Sequence, residues 1–106
     1  DPYVSRGLAL LHGEIAREWT VDDLSAAVGL SRSAFADRFT RLIGLAPKQY
    51  LANWRMQVAA QKLRNSSLSL AQIAADTGYE SDAAFSRAFK KTYGAAPATW
   101  RRENQV

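Results

Sequence analysis

The chain has 106 residues, is 47% hydrophobic, carries a formal net charge of +4 and contains no cysteine. That length suits one compact domain or two very small subdomains sharing an element, and a chain without cysteine has no disulfide and no thiolate metal site. No apolar run approaches the roughly 18 to 20 residues that span a bilayer and no signal-peptide core opens the chain, so the expectation is a cytoplasmic protein with no membrane partner.

Residues 4–17 place Val4, Leu8, Leu11 and Ile15 on one helical stripe, which Gly7 and Gly13 weaken. The sequence therefore opens within an expected helix, as an excised domain would. His12 lies near the stripe; with no cysteine and no second histidine it reads as a helix residue, not a metal ligand. Thr20 and Asp23 form a capping box ahead of a short helix over 21–28, stopped by Gly29. Ser31 caps a second helix over 32–43, stopped by Gly44. Two short helices joined by a glycine-containing turn form a helix-turn-helix. In the second, Phe35, Phe39, Leu42 and Ile43 occupy the apolar stripe, leaving Arg32, Ser33, Ala36, Asp37, Thr40 and Arg41 on the other side.

Pro47 opens a longer helix to Arg64 whose buried side is Leu51, Met56, Ala59, Ala60 and Leu63, flanked by Tyr50 and Trp54. At about 1.5 Å per residue it is a rod of about 27 Å, near the roughly 34 Å of one B-DNA turn. Asn65 to Ser67 break it. Ser69 with Gln72 repeats the capping box before a helix over 70–77, Gly78 ends that helix, and Ser81 caps another over 82–93. Pro97 starts a last short helix with Trp100 over the core, followed by a loose tail from Glu103 to Val106. The expected fold is all-α, about seven helices: a first helix-turn-helix subdomain (1–46), a long linker helix (47–64) and a second helix-turn-helix subdomain (65–106).

The two halves are copies. Leu24 and Gly29 match Ile73 and Gly78 at one offset; Phe35, Phe39, Gly44, Pro47 and Tyr50 match Phe85, Phe89, Gly94, Pro97 and Trp100 at an offset one residue larger. The added residue falls where Tyr79 and Glu80 stand against Leu30, in a turn that tolerates it. Charge does not repeat. Residues 1–37 carry three arginines against six acids, and residues 38–106 eleven Lys/Arg against four acids. A basic half suits a polyanion, although ordinary solvated surfaces are also basic.

Each outward helix presents an open N-terminus to phosphate and side chains to base edges. The candidate base contacts are Ser33, Ala36 and Asp37 in the first unit and Ala83, Ser86 and Arg87 in the second, while Asp82 at the start of its helix suits the helix dipole. Arg87 leads them, since a guanidinium forks onto guanine O6 and N7. Asp37 is placed either to accept from a cytosine or to pair with Arg41 one turn on, and the pair is favoured. Arg32, Arg38, Arg41, Lys90 and Lys91 are the candidate phosphate contacts. One histidine, no cysteine, no glycine-rich nucleotide loop and acids explained by capping leave no catalytic arrangement, so neither an enzyme nor a cofactor is expected. The rival reading is a helical protein-interaction module, which calls for an exposed apolar patch.

The run GYESDAAFSRAFKK with GAAP after it closely resembles the signature of the AraC/XylS family of bacterial transcription regulators, and LSAAVGLSRSAFADRFTRLIGLAPKQYL fits the family's preceding unit. The resemblance covers Leu8 to Arg102. It implies two helix-turn-helix subdomains on one long helix, bound to consecutive major-groove segments of double-stranded DNA, usually activating transcription through RNA polymerase. RSAFADRFT followed by YLANWRMQVAAQKL resembles a subgroup with an N-terminal cupin-like sensor domain. The expectation is then a nucleoid-associated regulator, monomeric as this fragment and dimeric through that domain. By position the resemblance implies base contacts at Ser33, Ala36 and Asp37 in the first unit and at Asp82, Ala83, Ser86 and Arg87 in the second. The small Ser33 and Ala36 and the acid at Asp37 depart from the family's larger or basic readers, so the second unit is expected to anchor the fragment and the first to refine its position.

Overall fold

The computed structural model describes residues 1–105, and among them are seven α-helices and no strand: α1 (Pro2–Gly13), α2 (Val21–Val28), α3 (Arg32–Ile43), α4 (Pro47–Asn65), α5 (Leu70–Asp76), α6 (Asp82–Tyr93) and α7 (Pro97–Asn104). They divide into two compact units, one spanning Asp1–Asn53 and the other starting at Trp54, so the boundary falls along α4. Each has its own core. Val4, Leu11, Trp19, Leu24, Val28, Phe35, Phe39 and Leu51 fill the first. Met56, Ala59, Ala60, Leu63, Ile73, Ala74, Phe85 and Phe89 fill the second.

The repeat is longer than the matched helix-turn-helix stretches. Val4, Gly7 and Leu11 of α1 correspond at one constant separation to Met56, Ala59 and Leu63 of α4, and all six are buried. The start of α4 corresponds in turn to α7, each opening on a buried proline, Pro47 and Pro97. α4 is thus the closing helix of the first copy fused to the opening helix of the second.

Helix ends follow from side chains two to three residues away. Thr20 Oγ1 accepts from Asp23 N at 3.0 Å while Asp23 Oδ2 accepts from Thr20 N at 3.3 Å, completing the expected box. Ser31 and Ser81 cap α3 and α6. Gly29, Gly44 and Gly94 take left-handed φ of 83°, 88° and 79°, which a side chain adopts only under strain.

Four expectations change. α1 starts at Pro2, not Val4, because Asp1 Oδ1 accepts from Tyr3 N at 2.9 Å and Val4 N at 3.3 Å; it ends at Gly13, leaving Ile15 outside the helix. Leu42 is 58% exposed, since Phe35 and Phe39 set the buried arc and Leu42 lies at its margin. The box at Ser69 is half made: Gln72 N donates to Ser69 Oγ, but Gln72 Nε2 donates to Asp76 Oδ1 at 2.7 Å instead of returning to the cap. Glu103 and Asn104 are helical. Arg101 holds α7 down, its Nε donating to Leu63 O at 2.9 Å and its Nη2 to Ser66 O at 3.3 Å, at the end of α4. The expected loose tail also includes Val106, which lies outside the described residues.

Gly7 weakens α1 by propensity but is required by packing. A Cβ there would stand 2.7 Å from Phe35 Cζ and 2.9 Å from Phe35 Cε1, and Phe35 is fully buried. Gly7→Ala would gain about 1 kcal/mol of helix propensity, and overpacking of about 1–3 kcal/mol outweighs it. The expected result in denaturant melts is a net loss of about 1 kcal/mol, with Phe35→Leu in the same chain recovering part of it.

Candidate nucleic-acid interface

The first outward helix, α3, is presented by a tight turn. Gly29 N and Leu30 N both donate to Ser25 O at 3.0 Å, closing α2 before the Ser31 cap opens α3. Phe35 and Phe39 point into the core with their rings 5.7 Å apart, and Tyr50 meets Phe39 edge-on at 5.7 Å. This fixes the helix's rotation about its axis. Ser33 and Asp37 emerge exposed, and Ala36 is half-buried. The helix's three arginines are all exposed and all face acids of their own unit. Arg32 Nε stands 3.8 Å from Asp22 Oδ1, Arg38 Nη1 stands 3.4 Å from Asp1 Oδ2, and Arg41 Nη2 donates to Asp37 Oδ2. The favoured intramolecular pairing of Asp37 with Arg41 is therefore present.

α6 is presented in the same way with different electrostatics. Tyr79 N donates to Ala74 O at 2.9 Å, Gly78 takes φ 90°, and Ser81 Oγ accepts from Ala84 N at 3.0 Å. The longer turn carries Tyr79, whose ring packs on Phe85 at 5.7 Å beneath the Arg55 guanidinium at 5.9 Å, while Glu80 stays exposed. Behind α6, Phe89 meets Phe85, Tyr93 and Trp100, so the helix is anchored by four rings. Asp82, Ala83, Arg87, Lys90 and Lys91 emerge exposed and Ser86 is half-buried. Among the described residues, Arg87, Lys90 and Lys91 take part in no ion pair.

Burial raises the phenol pKa values of Tyr50, Tyr79 and Tyr93 above their ordinary value, partly offset at Tyr79 by Arg55 and at Tyr93 by Arg64. All three stay protonated at neutral pH: Tyr93 donates to Met56 O at 3.3 Å, and the Tyr50 hydroxyl is hydrogen-bonded to His12 Nε2 at 2.6 Å. His12 is thus held by a tyrosine. No group of three or more potential metal ligands occurs among the described residues.

Sequence reasoning missed Asp1 and Asp22 as partners of α3. The one available signal was Asp1 before a proline, the pattern of an N-cap followed by a first helical residue. Nothing in the sequence indicated that its second carboxylate oxygen would meet Arg38.

Two short helices around a tight turn, the second with a buried aromatic face and an exposed polar one, define a helix-turn-helix, present here twice. The family model described as a helix-turn-helix domain matches residues 24–103, and the chain belongs to that family, the AraC-type DNA-binding domains. A Streptomyces lividans protein named as an AraC-like transcription regulator is 43% identical over 102 residues, covering 96% of this chain and 34% of that protein. The HTH-type transcriptional regulator AlkR of Acinetobacter baylyi is 37% identical over 103 residues, covering 97% and 34%. The chain thus spans about a third of the length of the curated relatives it matches. Among solved structures, the C-terminal domain of AraT, a response regulator from Geobacillus stearothermophilus, superposes with a TM-score of 0.93 at 25% identity, covering 100% of this chain and 88% of that one. The DNA-binding domain of AdpA, solved in complex with a target DNA, gives 0.87 at 29% identity, covering 94% and 90%.

Proposed function

We propose that this chain is the sequence-specific DNA-binding part of a bacterial transcription regulator, with α3 and α6 each entering a major-groove segment. The observation that carries it is the exposed face of α6, where Arg87, Lys90 and Lys91 make no ion pair among the described residues and follow a capped helix N-terminus. The likeness to the AdpA domain, solved with its target DNA, supports the same reading. In it, Ser33, Ala36, Asp82, Ala83, Ser86 and Arg87 are the base-facing positions, Asp37 lies among them, and Arg32, Arg38, Arg41, Lys90 and Lys91 lie toward phosphate. A regulator of this kind acts at the nucleoid, as an activator contacting RNA polymerase, and pairs through a part of the protein outside this chain. No described helix is long and apolar enough to cross a membrane.

A protein-docking module is not favoured. The large hydrophobic side chains exposed among the described residues are Leu42 and Leu68, too few for a contiguous apolar patch.

The test is affinity for a duplex selected from a random library, against random duplex, over a salt series. The expected result is a preference for the selected duplex of about 10³-fold or more and an affinity for both that falls steeply with salt. Equal affinity for the two overturns sequence specificity, and a flat salt response overturns phosphate contact.

A further inference from the structure

The two outward helices handle their cations differently. Every arginine of α3 meets a carboxylate of its own unit, whereas Arg87, Lys90 and Lys91 of α6 meet none among the described residues. Of the α3 pairs, Asp37 with Arg41 is one helical turn apart on a single face, with both side chains mostly exposed. An exposed pair of this kind contributes little to folding. Its effect on a polyanion is larger, because an arginine held by a carboxylate brings no net positive charge to phosphate, and the carboxylate itself repels the backbone. Sequence-independent affinity depends on the cations free to displace counterions from DNA, so each neutralised arginine removes about one such contribution.

We propose that Asp37 sets the sequence-independent affinity of the first unit for duplex by neutralising Arg41. It lowers affinity for duplex of any sequence by a similar factor and leaves base readout, and with it the ratio between target and random DNA, to the other outward residues. Charge-dependent anchoring then falls to Arg87, Lys90 and Lys91. The inference rests on the DNA-binding reading above.

The experiment uses the whole chain with random duplex and a library-selected duplex, each over a salt series, for wild type, Asp37→Asn, Arg41→Gln and the double variant. Asp37→Asn is expected to bind both duplexes severalfold more tightly at about 0.1 M salt, with a salt slope steeper by about one and the selected-over-random ratio kept. Arg41→Gln should shift the slope by well under one. The double variant should return random-duplex affinity to the wild-type value, because the gain belongs to the released Arg41. Unchanged affinity and slope in Asp37→Asn overturn the inference. So does a gain that survives in the double variant, which assigns it to general loss of negative charge, or a fall in the selected-over-random ratio, which makes Asp37 a base reader. A wild-type chain with no salt dependence overturns the DNA-binding reading itself, and is recognised before any variant is compared.

Discussion

Phe89→Ala is expected to remove about 3–5 kcal/mol of stability and to unfold the second unit under conditions where the first persists. Phe89 is fully inaccessible and central to the rings that hold α6: Tyr93 lies 4.6 Å away, Trp100 meets it edge-on at 5.5 Å, and Phe85 lies at 5.9 Å. Truncation removes the apolar transfer energy of a phenyl group and leaves a cavity that three rigid rings cannot collapse to fill. Small domains have about 5–15 kcal/mol in all, so half of a 106-residue chain has little reserve against such a loss. The first unit's buried cluster contains none of these residues. Amide exchange should therefore show protection lost in α5, α6 and α7 and kept in α1, α2 and α3. A single cooperative collapse of both units would show that the continuous α4 couples them more strongly than their separate cores indicate.

Local chemistry made most of this fold legible in the sequence. Ser31, Ser81, the Thr20–Asp23 box and the glycines after α2, α3 and α6 act within one helical turn, so their residue types suffice to place the helix ends. The phenylalanines of α3 and α6 were equally readable, because a helical period fixes direction. Period does not say what covers a side chain, and Leu42 shows the difference: on the stripe's margin, yet 58% exposed. Where two local bonds compete, residue type also fails to decide; Gln72 suited the cap and bonds Asp76. Long-range partners left no sequence signal. Arg101 reaching Leu63 O and Ser66 O, Gly7 under Phe35, and Asp1 and Asp22 beside α3 arise from packing. The imbalance between the outward faces was visible as charge counts, but its cause in α3 is pairing, which counts do not contain.

Arg87→Ala is expected to weaken binding to the selected duplex by about 1–3 kcal/mol, roughly five- to 150-fold, and to relax preference at one base pair. Arg87 is exposed and makes no ion pair among the described residues, so folding stability should change by no more than about 0.5 kcal/mol. The loss is then one of recognition. It lies one helical turn before Lys91, on a helix whose rotation is fixed by Phe85 and Phe89, so its Cα–Cβ bond leaves from the exposed face. Arg87→Lys separates charge from geometry: it keeps the cation, whose contribution appears in the salt slope, and removes the planar fork that matches guanine O6 and N7. A base-reading Arg87 predicts that lysine restores random-duplex affinity but not the selected preference. Lys90→Ala serves as the contrast, lowering both affinities alike and reducing the slope by about one. If Arg87→Ala behaves as Lys90→Ala does, Arg87 is one more phosphate contact, and base readout must come from the small residues beside it, Ala83 and Ser86.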